Sequence, residues 1–564
     1  MNERGGAWGP GWTLAAFLLV AAGTLVLALP AVLTEVALTA DALGYVATAH
    51  DWLAGKGFVD PIVYSYYLPD LRPPAPAIAI RPPVVSLLFA IPLSLGADVA
   101  GLAVVHAVWA SLVAGSAVLV ARRSLSLPAS LAFGIAIGWS FGWIFVSQRL
   151  LTEVTACAVL LLVLALVRGF PRSHAQAFVL AALVWIGWLT RPNLALLLPA
   201  LLLGATLELG LRGAFRTGPL WTLLVGFVAL QQMTSSVVAN VTGFAPYAHY
   251  GVMLELLDVR DVAAWRKEYV GAGAFVAAHA REIAAILGAS LRESFRWAFA
   301  SGALLHVGWL ACAAIPWALV RHGTGDLERR VAAFAALLLV GSALLVWGGF
   351  EAARYLLPGA ICAWLLACAL LDDVAKRLAV RLRGAVPASN PSGRKIVSRT
   401  VSLLPLAVVL LLWAPTGFPW LGSAIGRLPE ALRAETVVRD AQGDDFEAAV
   451  RQLCGSMDRN AVVASVDPWE IHLWCGNAGL ALPLDLGSTE EVDRYLAARG
   501  PGYVVADTRD AFLPLADSTR LQVVARAEPL TLYEVRDAPP ESRPWVAPPP
   551  LGPPRSSTTV RSSR

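Results

Sequence analysis

Eleven stretches of this chain each approach the ~20 apolar residues a helix needs to cross a ~30 Å hydrocarbon layer, at about 11–33, 98–120, 126–145, 154–170, 174–190, 193–208, 219–238, 299–320, 331–349, 355–371 and 401–420. No soluble core could take up so much apolar surface. Of 564 residues, 57% are hydrophobic and 15% charged, so the expected class is an all-α polytopic membrane protein with about eleven spans. The run VVSLLFAIPLSLG (84–96) is too short to span and reads as a re-entrant or interfacial element.

Charge then sets the orientation. With the N-terminus in the cytoplasm, the inner loops carry Arg122 and Arg123, Arg168 and Arg172, Arg212 and Arg216, Arg321, Arg329 and Arg330, and the basic stretch from Lys376 to Arg399. Every inner loop then satisfies the positive-inside rule. ALTA (37–40) resembles a signal-peptide cleavage site, but the apolar run before it exceeds the ~7–15 residues of a signal peptide, so an uncleaved anchor is expected. An odd number of spans puts the C-terminus outside, together with 34–97, 146–153, 191–192, 239–298 and 350–354. Within 239–298, segment 256–298 reads as interfacial helices carrying Trp265, Tyr269 and Trp297 at headgroup depth. The expected location is the cytoplasmic (inner) membrane, with membrane lipids as neighbours. The arginines are dispersed and form no basic stripe interleaved with aromatics, which excludes a nucleic-acid partner.

No Asp, Glu, Lys or Arg falls near the middle of any span, which argues against a transporter. The charges that interrupt apolar sequence stand at outer helix ends: Asp41, Arg81, Glu153, Arg191, Glu351 and Arg354. Six positions far apart in sequence thus share one membrane face. In LTADALGYVATAHDWLAGKGF (38–58), Asp41 and Tyr45 are spaced i, i+4 on one face of an interfacial helix. Asp41 also suits an N-cap, Glu153 a first-turn acid favoured by the helix dipole, and the arginines a role as snorkelling ends, so position alone leaves these alternatives open.

DALGYVATAHDWLAGKGF, RPPVVSLLFAIPLSLG (81–96), SQRLLTEVTACAVLLLVLAL (147–166), WIGWLTRPNLALLLP (185–199) and EAARYLLPGAICAWLLA (351–367), in that order, resemble the GT-C glycosyltransferases. The likeness is to the branch of protein O-mannosyltransferases and the lipid A aminoarabinose transferase, and it frames residues 11 to about 420. The resemblance implies a polyprenyl-phosphate-linked sugar donor, an inverting transfer at the outer face, and an acidic base in the first external loop, which Asp41 matches. Glu153 matches the family's second acidic position. Arg191, Arg354 and Arg81 are the expected donor-phosphate ligands, with Tyr45 and Glu351 beside them. An apolar neighbourhood is expected to raise the Asp41 pKa, and Arg191 and Arg354 have no neighbour of opposite charge at i±4, Glu351 near Arg354 apart. Where some relatives have Lys-Gly, this chain has Arg191-Pro192. It also lacks the acidic pair usual in the protein mannosyltransferases, so a lipid or glycan acceptor is favoured over a protein. No cofactor requirement can be read from the residues, and a carboxylate pair such as Asp41 and Glu153 could hold Mg²⁺ or Mn²⁺. The rival reading is a non-catalytic scaffold or flippase for envelope glycan.

Residues 437–537 change character. DDFEAAVRQL reads as an amphipathic helix, AVVASV and YVVAD as buried strands, and STEEVDRYLAA as a helix with a capping box from Ser488 to Glu491. The expected organisation is a transmembrane unit over 1–420, a small extracytoplasmic α/β domain over 421–537 and a disordered Pro/Ser/Arg-rich tail over 538–564. Four of the six cysteines, Cys157, Cys312, Cys362 and Cys368, lie in apolar runs; Cys454 and Cys475 lie outside and in an oxidising compartment would pair as a disulfide.

Overall fold

The computed structural model describes residues 9–64, 72–167, 173–242, 246, 280–300, 304–320, 327–343, 350–387, 389–433, 437–439, 444–482, 488–507, 515 and 517–536. Among the described residues six helices are long and apolar enough to cross a bilayer: Pro10–Thr34, Val99–Ala121, Pro192–Leu209, Gly218–Thr242, Arg354–Ala385 and Pro391–Ala431. Leu127–Gly138 and Phe141–Ser147, bent by 57°, form a seventh if counted as one span. The apolar helices Glu153–Val167, His174–Thr190 and Val307–Val320 are shorter, which is why apolar runs outnumber helices of spanning length. Pro83–Ser94 covers 12 residues, ~18 Å at the usual helical rise and well short of the hydrocarbon thickness. Of the expected interfacial segment, Ala280–Phe295 is a helix with Trp297 just after it, whereas Trp265 and Tyr269 lie outside the described residues.

The membrane helices pack on small side chains. Ala110, Ala114, Ala117, Ala129, Ala132 and Ala136 meet Val20, Phe133 and Trp143 in one buried cluster, where close backbone approach replaces the hydrophobic drive that lipid removes. Helix Phe350–Ala385 runs 36 residues. Towards its C-terminal end Asp372 accepts from the backbone N–H of Ser126 at 3.2 Å.

The α/β unit is woven from both ends of the chain. Six strands are ordered β3 (Ile62–Tyr64), β7 (Ala478–Ala481), β6 (Val462–Ser465), β8 (Tyr503–Asp507), β10 (Leu530–Val535) and β9 (Leu521–Ala527). The first four are parallel and the last two antiparallel additions. β3 comes from the first external loop. A second short sheet pairs β1 (Glu35–Ala37), just after the first membrane helix, in parallel with β5 (Val437–Arg439), just after the last. A third joins β2 (Val59–Asp60) to β4 (Ala75–Pro76).

Alternation along the strands gives the main sheet two apolar faces. Val462, Ala464 and Val504 face Tyr495 and Leu496 of helix Thr489–Arg499. Val463, Val505, Leu530 and Leu532 join Phe446, Val450 and Trp474 and then continue into Leu43, Val46, Leu27 and Leu102 of the loop helix and membrane helices. The α/β unit and the outer membrane ends therefore share one core. Ser488 caps helix Thr489–Arg499 by accepting from the Glu491 N–H at 3.3 Å.

Cys454 and Cys475 are bonded, with Cα atoms 5.2 Å apart and 21 residues of separation. The bond ties helix Asp444–Cys454 to helix Pro468–Cys475. Closing a loop of that size is worth about 3 kcal/mol in the chain-entropy model. Replacing both cysteines by serine should move cleavage of the α/β unit in the full-length protein to lower urea concentration, with the membrane helices unaffected. Unchanged protection would show the bond contributes nothing to stability.

Candidate active site

Two of the three arginines at the centre of the outer face stand immediately before a proline. Proline disfavours helical geometry in the residue before it, and Arg81 (φ −132°, ψ 150°) and Arg191 (φ −159°, ψ 117°) are both extended, ending helices Ala77–Ile80 and His174–Thr190. Their side chains leave the helix ends and turn into the site. Arg354 lies in the first turn of Phe350–Ala385.

With three carboxylates they form one chain of alternating charge. Asp60 Oδ2 accepts from Arg81 Nε at 2.7 Å, and Arg81 Nη1 reaches Asp41 Oδ1 at 3.1 Å. Arg354 Nη2 meets Asp41 Oδ2 at 2.6 Å, while its Nε lies 2.9 Å from Glu153 Oε1. Arg191 Nη1 stands 2.6 Å from the same Glu153 oxygen. Five of the six side chains are at most 8% exposed, whereas Asp41 is 33% exposed. Solvent and substrates thus meet the chain at Asp41.

The surroundings hold this geometry. Asp41 is not the cap of helix Ala40–Leu53, because the Thr39 hydroxyl takes that place, accepting from the Ala42 N–H at 3.2 Å. Gly44 lets the Arg81 guanidinium lie against the helix, since a Cβ there would sit 2.1 Å from Arg81 Nε. The Arg81 guanidinium carbon lies 5.6 Å from the Tyr45 ring centroid. Tyr355 serves two arginines, with Arg191 at 4.3 Å and Arg354 at 5.2 Å. The Ile62 N–H donates to Asp60 Oδ1 at 2.9 Å, so the strand that enters the main sheet also fixes the end of the charge chain.

Arg191 and Arg354, which have no acidic neighbour within four residues in sequence apart from Glu351, both pair with Glu153 from another helix. One expectation is corrected: the Asp41 pKa is not raised. Burial pushes it up, but the Arg354 and Arg81 guanidiniums outweigh that effect and hold the carboxyl well below the usual range. Glu153 is the first residue of helix Glu153–Val167, consistent with a first-turn acid, yet it is fully buried as the anion between two cations. The Glu351 side chain lies outside the described residues. Asp60, Gly44 and Tyr355 were not legible beforehand: Asp60 ends a strand of two residues, too short to leave a periodic signal, and Tyr355 reads as an ordinary helix aromatic.

A divalent ion would need the Asp41 and Glu153 carboxylates to converge on it. Arg354 occupies that position, ion-paired with both, and among the described residues no group of three His, Cys, Asp or Glu is placed to hold a metal. The residues present do not fit Mg²⁺ or Mn²⁺.

A second polar cluster lies further along the same helix. Asp51 is fully buried, with Lys56 Nζ at 3.5 Å, against the face where His472 of the α/β unit packs. Burial raises the Asp51 carboxyl to about 6, partly opposed by Lys56. Burial, with His50 and Lys56, lowers His472 to about 4 and keeps it neutral.

These helices and the sheet above them make the fold of a polytopic membrane protein with an α/β unit at one end. Among solved structures it is similar to ArnT from Cupriavidus metallidurans bound to undecaprenyl phosphate, at 16% identity, TM-score 0.53, covering 93% of this chain and 98% of that one. The apo state of the same ArnT matches at 17% identity, TM-score 0.52, with 93% and 97% covered. The archaeal oligosaccharyltransferase AglB from Archaeoglobus fulgidus, in complex with an inhibitory peptide and a dolichol-phosphate, matches at 14% identity, TM-score 0.50, with 88% and 69% covered. At these identities the likeness is one of fold. No protein-family model and no curated protein sequence matches the chain.

Two outcomes follow from the charges. Glu153→Gln leaves Arg191 and Arg354 buried beside each other without their shared anion, and losing one partner of a buried pair costs about 3 kcal/mol or more. The variant should melt several degrees lower in detergent; an unchanged melting temperature would show that Glu153 is not the anion that holds the two arginines. For Asp51 the folded pKa lies above the unfolded one, so the native state binds more protons between about pH 4 and about 6. The Asp51 contribution to stability falls as pH rises through that window, against that of His472, whose lowered pKa makes its contribution rise, so Asp51→Asn should leave stability rising more steeply with pH than in the wild type. An unchanged pH slope in the Asn variant would assign the titration elsewhere.

Proposed function

We propose that this chain is a membrane glycosyltransferase that moves a sugar from a polyprenyl-phosphate donor to an envelope lipid or glycan at the extracytoplasmic face, with inversion. The observation that carries it is the charge chain from Asp60 to Arg191, gathered from six separate segments at one end of the membrane helices, with only Asp41 accessible. A fold shared with ArnT bound to undecaprenyl phosphate supports the donor class. The distribution of Arg122, Arg123, Arg212, Arg216 and the basic stretch 376–399 on the opposite side supports a cytoplasmic membrane location with the α/β unit outside.

The chemistry follows from the charges. The donor is a phosphodiester whose departure leaves a phosphate monoester with one more negative charge. Arg354, flanked by Arg81 and Arg191, is placed to stabilise that charge in a site shielded from water; two unit charges ~4 Å apart at an effective dielectric of ~20 interact by roughly 4 kcal/mol. In the free protein Asp41 is a poor base because two guanidiniums hold its proton affinity down. A donor phosphate engaging Arg354 would share that compensation and add a like charge near Asp41, and both effects raise its pKa. Asp41 then takes the proton of the acceptor hydroxyl as the hydroxyl oxygen attacks the anomeric carbon. The bond to the phosphate oxygen breaks on the opposite face, and the electron pair leaves with the polyprenyl phosphate.

The deciding experiment uses protein reconstituted with a polyprenyl-phosphate sugar and an envelope acceptor extract. Asp41→Asn should lower transfer at least ~100-fold while the protein folds normally, the usual scale for loss of a general base. Arg354→Lys, which cannot reproduce a forked contact, should raise the donor KM more than the acceptor KM. Near wild-type turnover by the Asn variant would exclude Asp41 as base, and no glycosidic product from the wild type would favour a scaffold or flippase.

A further inference from the structure

At the far end of the Phe350–Ala385 helix the electrostatics are the reverse of those at Asp41. A cavity of about 680 Å³ opens between that helix end and helix Pro391–Ser402, lined by Arg383, Gly384, Arg394, Lys395, Ser398 and Arg399. Arg354 and Arg383 are separated by 29 residues of one helix, ~44 Å at the usual rise, so the cavity is remote from the outer site. No Asp or Glu occurs between Val374 and Pro429. Among the described residues Lys376 and Arg377 pair with Asp372 and Asp373 one turn back, while the four cations of the cavity have no acidic partner.

We propose that this cavity binds the phosphate-bearing headgroup of an anionic membrane lipid. A pocket that gathers four uncompensated cations and a serine hydroxyl suits a phosphate oxyanion. The apolar side chains of the same two helices favour a lipid over a free ion: Val380 is 62% exposed and Ile396 64%, and both would be satisfied by acyl chains beside the headgroup. Helix Pro391–Ser402 alternates these surfaces, with Arg394, Lys395, Ser398 and Arg399 on the cavity and Ile396 facing out, the pattern of a helix lying at a membrane interface. Arg394 also donates from Nε and Nη2 to the Val386 carbonyl, both at 3.0 Å, which holds the turn between the helices and keeps the cavity open.

Native mass spectrometry of the full-length protein in detergent, titrated with phosphatidylglycerol, phosphatidylcholine or inorganic phosphate, tests this. Retained phosphatidylglycerol adducts should exceed phosphatidylcholine adducts, and R383Q/K395Q/R399Q should reduce them at least ~10-fold, given the contribution of each basic residue to anionic-lipid attraction. R212Q/R216Q, which removes two cations away from the cavity, should leave them unchanged. If the triple variant melts lower than wild type, K395Q/R399Q is read instead, with a reduction of several-fold expected. Equal adducts in wild type and variant, an equal loss in R212Q/R216Q, or retention of inorganic phosphate that displaces the lipid would each overturn the proposal.

Discussion

The Arg354 guanidinium lies between Asp41 and Glu153, hydrogen-bonded to the first and ion-paired with the second, and the arrangement of the charged site depends on it. One side chain on helix Phe350–Ala385 thereby joins the first external loop to helix Glu153–Val167, and through Glu153 reaches Arg191 at the end of helix His174–Thr190. Burying so many charges is unfavourable unless each is compensated. Here every buried guanidinium of the chain has a carboxylate, and every buried carboxylate a guanidinium. The alternation of sign along Asp60, Arg81, Asp41, Arg354, Glu153 and Arg191 is what makes a dry, charged site affordable. It also fixes relative helix positions that apolar packing among alanines and valines would leave free to slide.

The α/β unit depends on that same loop. β3 belongs to the segment that carries Asp60 yet is hydrogen-bonded into the main sheet, and β1 pairs with β5 across some 400 residues of sequence. Because Leu43 and Val46 on the Asp41 helix share a core with Phe446, Val450 and Trp474, the α/β unit is part of the mount on which Asp41 stands. The second polar cluster, Asp51 against the His472 face, lies in the same contact. Anything that loosens this packing would be felt at the charge chain through a single helix of 14 residues.

Much of this was legible because membrane insertion imposes one-dimensional rules. Apolar length located the helices, and the polar interruptions Asp41, Arg81, Glu153, Arg191 and Arg354 marked the end of the helices where they gather. What stayed hidden was pairing. Charges 313 residues apart, such as Arg354 and Asp41, leave no local signature, so partners could not be assigned and Asp41 was expected to have a raised rather than a lowered pKa. β3 was equally hidden: Ile62–Tyr64 is three residues long, and its alternation is too brief to register. Gly44 reads as a helix-weakening residue until the guanidinium it accommodates is seen.

On the readings proposed above, the two ends of the long helix meet a phosphate in two ways. At the Arg383 end no described acid pairs with the cavity cations, so an anion adds charge that they do not already carry and can stay bound as a fixed structural partner. At the Arg354 end carboxylates already engage the cations, and an arriving anion must compete with Asp41 for Arg354. Competition weakens binding, but it couples binding to chemistry: the group displaced is the one accessible carboxylate, and its displacement raises its proton affinity. A site of bare arginines would hold a polyprenyl phosphate more tightly and release it more slowly after the sugar has left. Compensation by Asp41 and Glu153 instead favours departure of the spent carrier, which a turnover enzyme needs and a static lipid site does not.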